Sequence, residues 1–168
     1  NPYSLILNDE PLSILSIPGA EEVALELNSL SKSHNMAGWR IGWVAGRREY
    51  VDAVLKVKSN LDSGMFLSLQ HAAVEALNNG PDWFERLNKT YRNRGTAARR
   101  ILDELGCQYH NNQSGLFVWA RVPSSVSDVE IWIDDILYGT SVFLTPGTVF
   151  GDAGKHHIRI SLCATESV

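Results

Sequence analysis

No apolar stretch of this 168-residue chain approaches the ~20 residues that a bilayer-crossing helix needs, so nothing in it is expected to enter a membrane. No leader of charged then apolar residues is read at its start. Positive charge is not in excess either: 15 Lys and Arg stand against 19 Asp and Glu, for a net charge of −4. Without a basic surface the electrostatic footprint of nucleic-acid binding is missing, and no nucleic-acid partner is expected. Only two cysteines occur, Cys107 and Cys163, isolated and without metal-ligand spacing, so neither a metal centre nor a disulfide framework is predicted. They read as reduced, buried thiols of a cytoplasmic protein. What is present, 44% hydrophobic and 20% charged residues, describes a globular chain of one ordinary domain or two small ones.

The most informative stretch runs from Asn28 to Gly42, Asn-Ser-Leu-Ser-Lys-Ser-His-Asn-Met-Ala-Gly-Trp-Arg-Ile-Gly. Val23 to Leu27 alternates apolar and acidic residues as a half-buried strand does, and Ile41 to Ala45 reads as a second strand. Ser31 to Arg40 is then predicted to be a loop, and loops held by a rigid sheet are where chemistry is commonly placed. An amine is a nucleophile only when uncharged, and hydroxyls with an arginine fork suit a phosphate. Lys32 among serines, with Arg40 beyond it, offers both, a combination that suits pyridoxal phosphate. The plainer alternative is a solvated lysine and a surface arginine in a polar connector.

The remaining chain alternates elements in the manner of an α/β protein. Arg47 to Asn60 has Tyr50, Val51, Val54, Leu55 and Val57 on helical spacing, and Met65 to Leu77 places Leu69, Ala72, Ala73, Ala76 and Leu77 on one buried face. Gly64-Met65-Phe66 before it reads as a helix start with a hydrophobic staple. Asp82 to Leu105 is the longest helical pattern, with Gly95 as a possible bend. Cys107 to Val122 is β-like, with Leu116, Val118 and Ala120 alternating against Phe117, Trp119 and Arg121. Asp128 to Tyr138 reads as a helix capped by Ser127, and Val142 to Leu144 and His157 to Leu162 as short strands around a glycine-rich loop. A metal pair at His156 and His157 is not expected, since neighbours on a strand face opposite sides. His34 reads as a polar loop histidine.

The pattern S-L-S-K-S-x-x-x-x-G-x-R-x-G from Ser29 to Gly42 closely resembles the lysine signature of the class I and II aminotransferases, the fold-type I pyridoxal-phosphate enzymes. Pro146-Gly147, Phe150-Gly151, Gly154 and Arg159-Ile160-Ser161 are similar to that family's C-terminal pattern, and Asn1-Pro2-Tyr3 to the end of its D-x-x-Y motif. The resemblance covers the whole chain. It implies an α/β fold, namely the C-terminal part of the fold-type I large domain (residues 1–93) followed by a small α+β C-terminal domain (residues 94–168). It implies pyridoxal 5'-phosphate as cofactor, Lys32 as the Schiff-base lysine and mover of the α-proton, and Ser29 and Arg40 as contacts to the cofactor phosphate. Tyr3 would donate to the ring hydroxyl, and Arg159, which from its position alone reads as an outward residue of an edge strand, would bind the substrate α-carboxylate. The expected reaction moves an amino group from an amino acid to a 2-keto acid in a homodimer of the full-length protein.

The family's N-terminal half, including the aspartate that pairs with the ring nitrogen, has no counterpart here. The chain is therefore expected to be a truncation with negligible activity alone. A carbon–sulfur β-lyase of similar fold and a non-catalytic folding or assembly module are the alternatives. The Leu55 to Asn60 region, where dicarboxylate-specific members carry an arginine, holds only Lys56 and Lys58, so a preference for acidic substrates is not supported.

Overall fold

The computed structural model describes residues 6–8 and 10–165, and the chain divides into two compact units, Asn1–Leu87 and Asn88–Val168. The expected role of Tyr3 falls outside the described residues.

In the first unit, β1 (Leu25–Ser29) pairs antiparallel with β2 (Gly42–Gly46), Leu25 lying opposite Gly46 and Ser29 opposite Gly42. The first strand starts later than its alternation predicts, because the N–H groups of Val23 and Ala24 both bond back to Ala20 O and close a 3-10 turn. The connection between the strands is not the open loop expected. Leu30–Ser33 forms one helical turn, α1, and Ala37–Trp39 a 3-10 turn. Two local causes account for this. The Ser29 hydroxyl accepts from Ser31 N and caps α1. Leu30, Met36 and Ile41 bury together, with Leu69, Ala72, Ala73 and Ala76 packed on them from α3 (Leu67–Leu77). A connection that carries its own apolar plug folds onto the unit rather than standing in solvent.

Leu77, expected on that buried face, is 55% exposed. Eight residues beyond Leu69 it has rotated about 80° from that residue's direction, and the helix ends there. The helix α2 (Arg48–Lys58) forms as its periodicity predicts, yet none of its residues is buried and Leu55 and Val57 stay mostly exposed. Its apolar side and the β1–β2 pair line an open groove of about 460 Å³, floored by Leu27, Trp43, Val44, Val51, Val54 and Leu55. Phe66 precedes α3 and is also exposed.

The long helix α4 (Pro81–Glu104) carries the chain from one unit to the next and continues through Gly95 without a break. That glycine is buried within the helix, close to the flexible end of Arg99, and it marks no bend.

The second unit holds an antiparallel sheet in the order β3-β4-β6-β5: Gln108–Tyr109, Phe117–Arg121, His157–Ser161 and Thr145–Pro146. The predicted alternation of β4 holds: Leu116, Val118 and Ala120 are buried, and Phe117, Trp119 and Arg121 point to the other face. Leu102 on α4, Ile133 on α5 (Val129–Thr140), Val118 and Ile158 are each at most 2% exposed and mark the core.

Two expectations are corrected here. The cap of α5 is Asp128, whose Oδ1 accepts from Glu130 N and Ile131 N at 2.9 and 3.1 Å; Ser127 lies one position too early. The strand expected at 142–144 is Thr145–Pro146 instead, displaced because α5 runs on to Thr140 and Ser141 turns the chain in the left-handed region. Proline is accepted in β5 because that strand lies at the sheet edge, where a ladder donor can be spared.

Candidate active site

Lys32 sits in the middle of the one-turn helix that follows β1 directly. Strand, cap and buried Leu30 fix its backbone from three sides: Leu30 N donates to Ile41 O across the connection, and Ser33 Oγ donates to Ser29 O at 3.0 Å. The half-buried Lys32 amine itself takes part in no hydrogen bond or ion pair among the described residues. A chain that spends several contacts on fixing a turn and none on its lysine leaves that amine available to a ligand.

Arg40 closes the same connection with φ 56°, a left-handed conformation that is unusual for a residue with a side chain. Its Nη1 donates to Ala37 O at 2.9 Å, and the rest of the exposed guanidinium has no partner among the described residues. Ser29 differs. Its Oγ accepts from Ser31 N, lies 2.9 Å from Ser31 Oγ and donates to Ile41 O at 3.1 Å, so its single proton is engaged in holding the turn. Ser29, Lys32 and Arg40 are thus brought onto one connection, two of them with groups to spare.

His34 is not the polar loop residue expected. It is buried, stacked on Trp83 with ring centroids 5.6 Å apart and edge-on to Phe84 at 5.4 Å, both from the first turn of α4. Ser33 Oγ gives its proton to Ser29 O, so the 2.8 Å contact with His34 is made by the imidazole Nδ1–H donating to that hydroxyl. Burial pushes the His34 pKa below its ordinary value, which favours the neutral ring with its proton on Nδ1. The apolar Trp83-Phe84 pair beginning a helix was the available signal for such a partner.

Arg159 lies in the second unit on β6, a central strand of the sheet and not an edge one. It stands on the face opposite the core, level with Trp119 of β4 and Thr145 of β5. Its guanidinium carbon is 4.1 Å from the Phe117 ring centroid and 4.3 Å from that of Phe150. Nε is buried and has no hydrogen-bond partner among the described residues. Trp119 continues the array, edge-on to Phe150 at 5.7 Å and stacked on His157 at 5.2 Å. His157 is thereby occupied in stacking, and among the described residues no group of three or more His, Cys, Asp or Glu is placed to hold a metal. Both cysteines are free, but only Cys107 is buried as expected; Cys163 is exposed, in the turn just after β6. Burial raises the Cys107 thiol pKa. No helix among the described residues is long and apolar enough to cross a membrane.

Comparison with known proteins finds relatives along nearly the whole chain. The chain is 41% identical over 166 residues to the LL-diaminopimelate aminotransferase of Natranaerobius thermophilus, which covers 98% of this chain but 43% of the relative. It is 37% identical over 164 residues to the enzyme of the same name from Aquifex aeolicus, covering 96% of this chain and 42% of that one. Among solved structures, apo-BacF from Bacillus subtilis superposes with a TM-score of 0.87 at 33% identity, over 99% of this chain and 43% of that one. A probable N-succinyldiaminopimelate aminotransferase from Thermus thermophilus gives 0.87 at 32%, over 98% and 44%. The chain thus spans somewhat over two-fifths of the length of the relatives it matches. The sequence profile described as Aminotransferase class I and II matches residues 9–168, and the chain therefore belongs to that family, whose members are generally pyridoxal-phosphate-dependent.

Proposed function

We propose that this chain supplies the lysine, a phosphate contact and a carboxylate-binding arginine to a pyridoxal-phosphate-dependent enzyme that transfers an amino group from an amino acid to a 2-keto acid. The observation that carries the reading is the Lys32 amine, partnerless among the described residues on a turn whose backbone is held by the Ser29 cap and the Ser33 hydroxyl. The donor set fits the cofactor. An uncommitted amine suits an aldehyde, and the free guanidinium edge of Arg40 suits a phosphate. When bound, pyridoxal phosphate supplies an electron sink that acidifies the α-proton of an attached amino acid.

The chain's own residues do the rest. The Lys32 amine takes the proton from the substrate α-carbon and later returns one, as general base and then acid. Arg40 holds the phosphate, and Ser29 joins it by redirecting its proton from Ile41 O to the anion. Arg159 takes the α-carboxylate in a two-donor fork. The relatives' printed name points to a diamino dicarboxylic acid as the substrate class, whose two amines offset its two carboxylates, so it is not an acidic substrate of the kind the missing arginine would serve. A homodimer in the cytoplasm is the setting we assign, in keeping with two unpaired cysteines.

The test is chemical trapping: the purified chain is mixed with pyridoxal phosphate, reduced with borohydride, and mapped by peptide mass. A single adduct on Lys32, competed away by inorganic phosphate and weakened in Arg40→Ala, is the expected result. Labelling scattered over other lysines such as Lys56 and Lys58, indifferent to phosphate, would overturn it. The isolated chain is expected to show negligible transamination.

A further inference from the structure

We propose that Phe117 and Phe150 are positioning residues that clamp the two faces of Arg159 and aim its in-plane donors at a carboxylate; this rests on the carboxylate-binding reading of Arg159. Two rings stand against the one guanidinium: its carbon lies 4.1 Å from the Phe117 centroid and 4.3 Å from that of Phe150. Rings at that distance attract the cation through their negative faces, and they exclude water from both faces of the guanidinium plane. What remains available is the edge of the plane, where the N–H groups lie. A carboxylate meets a guanidinium there, in plane and through two parallel bonds. The buried Nε, without a partner among the described residues, belongs to that edge.

The two rings reach Arg159 by different routes. Phe117 is its sheet neighbour, on the same outer face of the adjacent strand β4. Phe150 comes from the 3-10 turn Gly147–Phe150 and depends on two glycines. A Cβ on Gly147 would overlap Gly154 O and stand 2.7 Å from His157 O, and one on Gly154 would overlap the Gly147 backbone. The two backbones therefore touch, which folds the turn back against the start of β6 and sets Phe150 over the arginine two residues into that strand. This gives the pattern P-G-x-x-F-G-x-x-G a physical purpose beside the arginine that follows it. The glycines make the close approach, and the phenylalanine uses it.

A clamped arginine has already lost the side-chain freedom that binding would otherwise remove. The isotope-labelled chain tests this through the Arg159 Nε–H resonance, identified by its disappearance in Arg159→Lys. In the native chain the resonance should carry a ring-current shift and move saturably as pyruvate is added. Phe150→Leu should remove much of the ring-current shift and weaken pyruvate binding about fivefold, and Phe117→Leu should do likewise. Phe150→Tyr, which keeps the ring, should restore both, and Val149→Ala, an exposed neighbour, should change neither. Native-like resonance and affinity in both leucine variants would overturn the clamp while leaving the reading of Arg159 intact. If pyruvate fails to move the resonance even in the native chain, the carboxylate reading falls and the clamp falls with it.

Discussion

Replacing Leu30 by alanine tests whether the lysine turn is held by its own apolar plug. Leu30 is 0% exposed and lies two residues before Lys32. The substitution removes three carbons, worth roughly 0.8 kcal/mol each in transfer from water, or about 2.4 kcal/mol together. A cavity term adds to this because the packing residues Ala72, Ala73 and Ala76 are too short to turn into the space. A loss of about 3 to 4 kcal/mol is expected, within the usual range for buried leucines. Leu77→Ala removes the same three carbons from a side chain that is 55% exposed and creates no enclosed void. It should cost under about 1 kcal/mol. Urea unfolding followed by far-UV circular dichroism compares the two, and the trapping reaction shows whether Lys32 labelling falls in step with Leu30→Ala. Equal losses for the two variants, or a larger one for Leu77→Ala, would refute the assignment of the plug to Leu30 and the exposure of Leu77.

Two further outcomes follow from local geometry. Asp128→Ala should destabilise the second unit by about 1 kcal/mol, the usual cost of an N-cap, while Ser127→Ala should be close to neutral in the same thermal melts. His34 titrates more readily in the unfolded chain than in the folded one, so its contribution is fully present above the unfolded pKa of about 6.5 and is lost as pH falls from there through its lower folded value. Stability measured in urea from pH 8 to pH 5 should therefore drop more steeply for the native chain than for His34→Phe, which keeps an aromatic ring; parallel profiles would count against a neutral buried imidazole.

Much of the fold was legible in residue spacing because its elements are bounded by strong local signals. The alternation from Leu116 to Val122 translates directly into one buried and one open sheet face. Likewise, Asn78-Asn79-Gly80 separates α3 from α4, and Pro81 opens α4, a position that proline's fixed φ suits. Three features were not legible, each for a tertiary reason. The connection around Lys32 is polar in composition, and only the meeting of Leu30, Met36 and Ile41 with α3 makes it a packed turn. His34 gains its aromatic neighbours from residues some fifty positions later. Arg159 reads as an edge residue until the strand order shows β6 flanked on both sides. Of the candidate site, Lys32, Arg40 and Arg159 were visible from the sequence, whereas Phe117 and Phe150 lie 42 and 9 residues from the arginine they flank (159 − 117 and 159 − 150). No spacing rule links Phe117 to the arginine, and Phe150, though part of the C-terminal pattern, shows its contact with Arg159 only in the fold.

The outer strands of the four-stranded sheet, β3 and β5, are each two residues long, and β5 contains Pro146. A neighbouring molecule looking for a strand to extend would find almost no free ladder there, since short edges and proline both frustrate intermolecular pairing. The first unit is guarded less well: its two five-residue strands stand beside the exposed side chains of Leu27 and Trp43. During synthesis or refolding, self-association is therefore expected to start at the β1–β2 hairpin. A charged residue in place of Leu27 would be the most economical way to keep the chain dispersed.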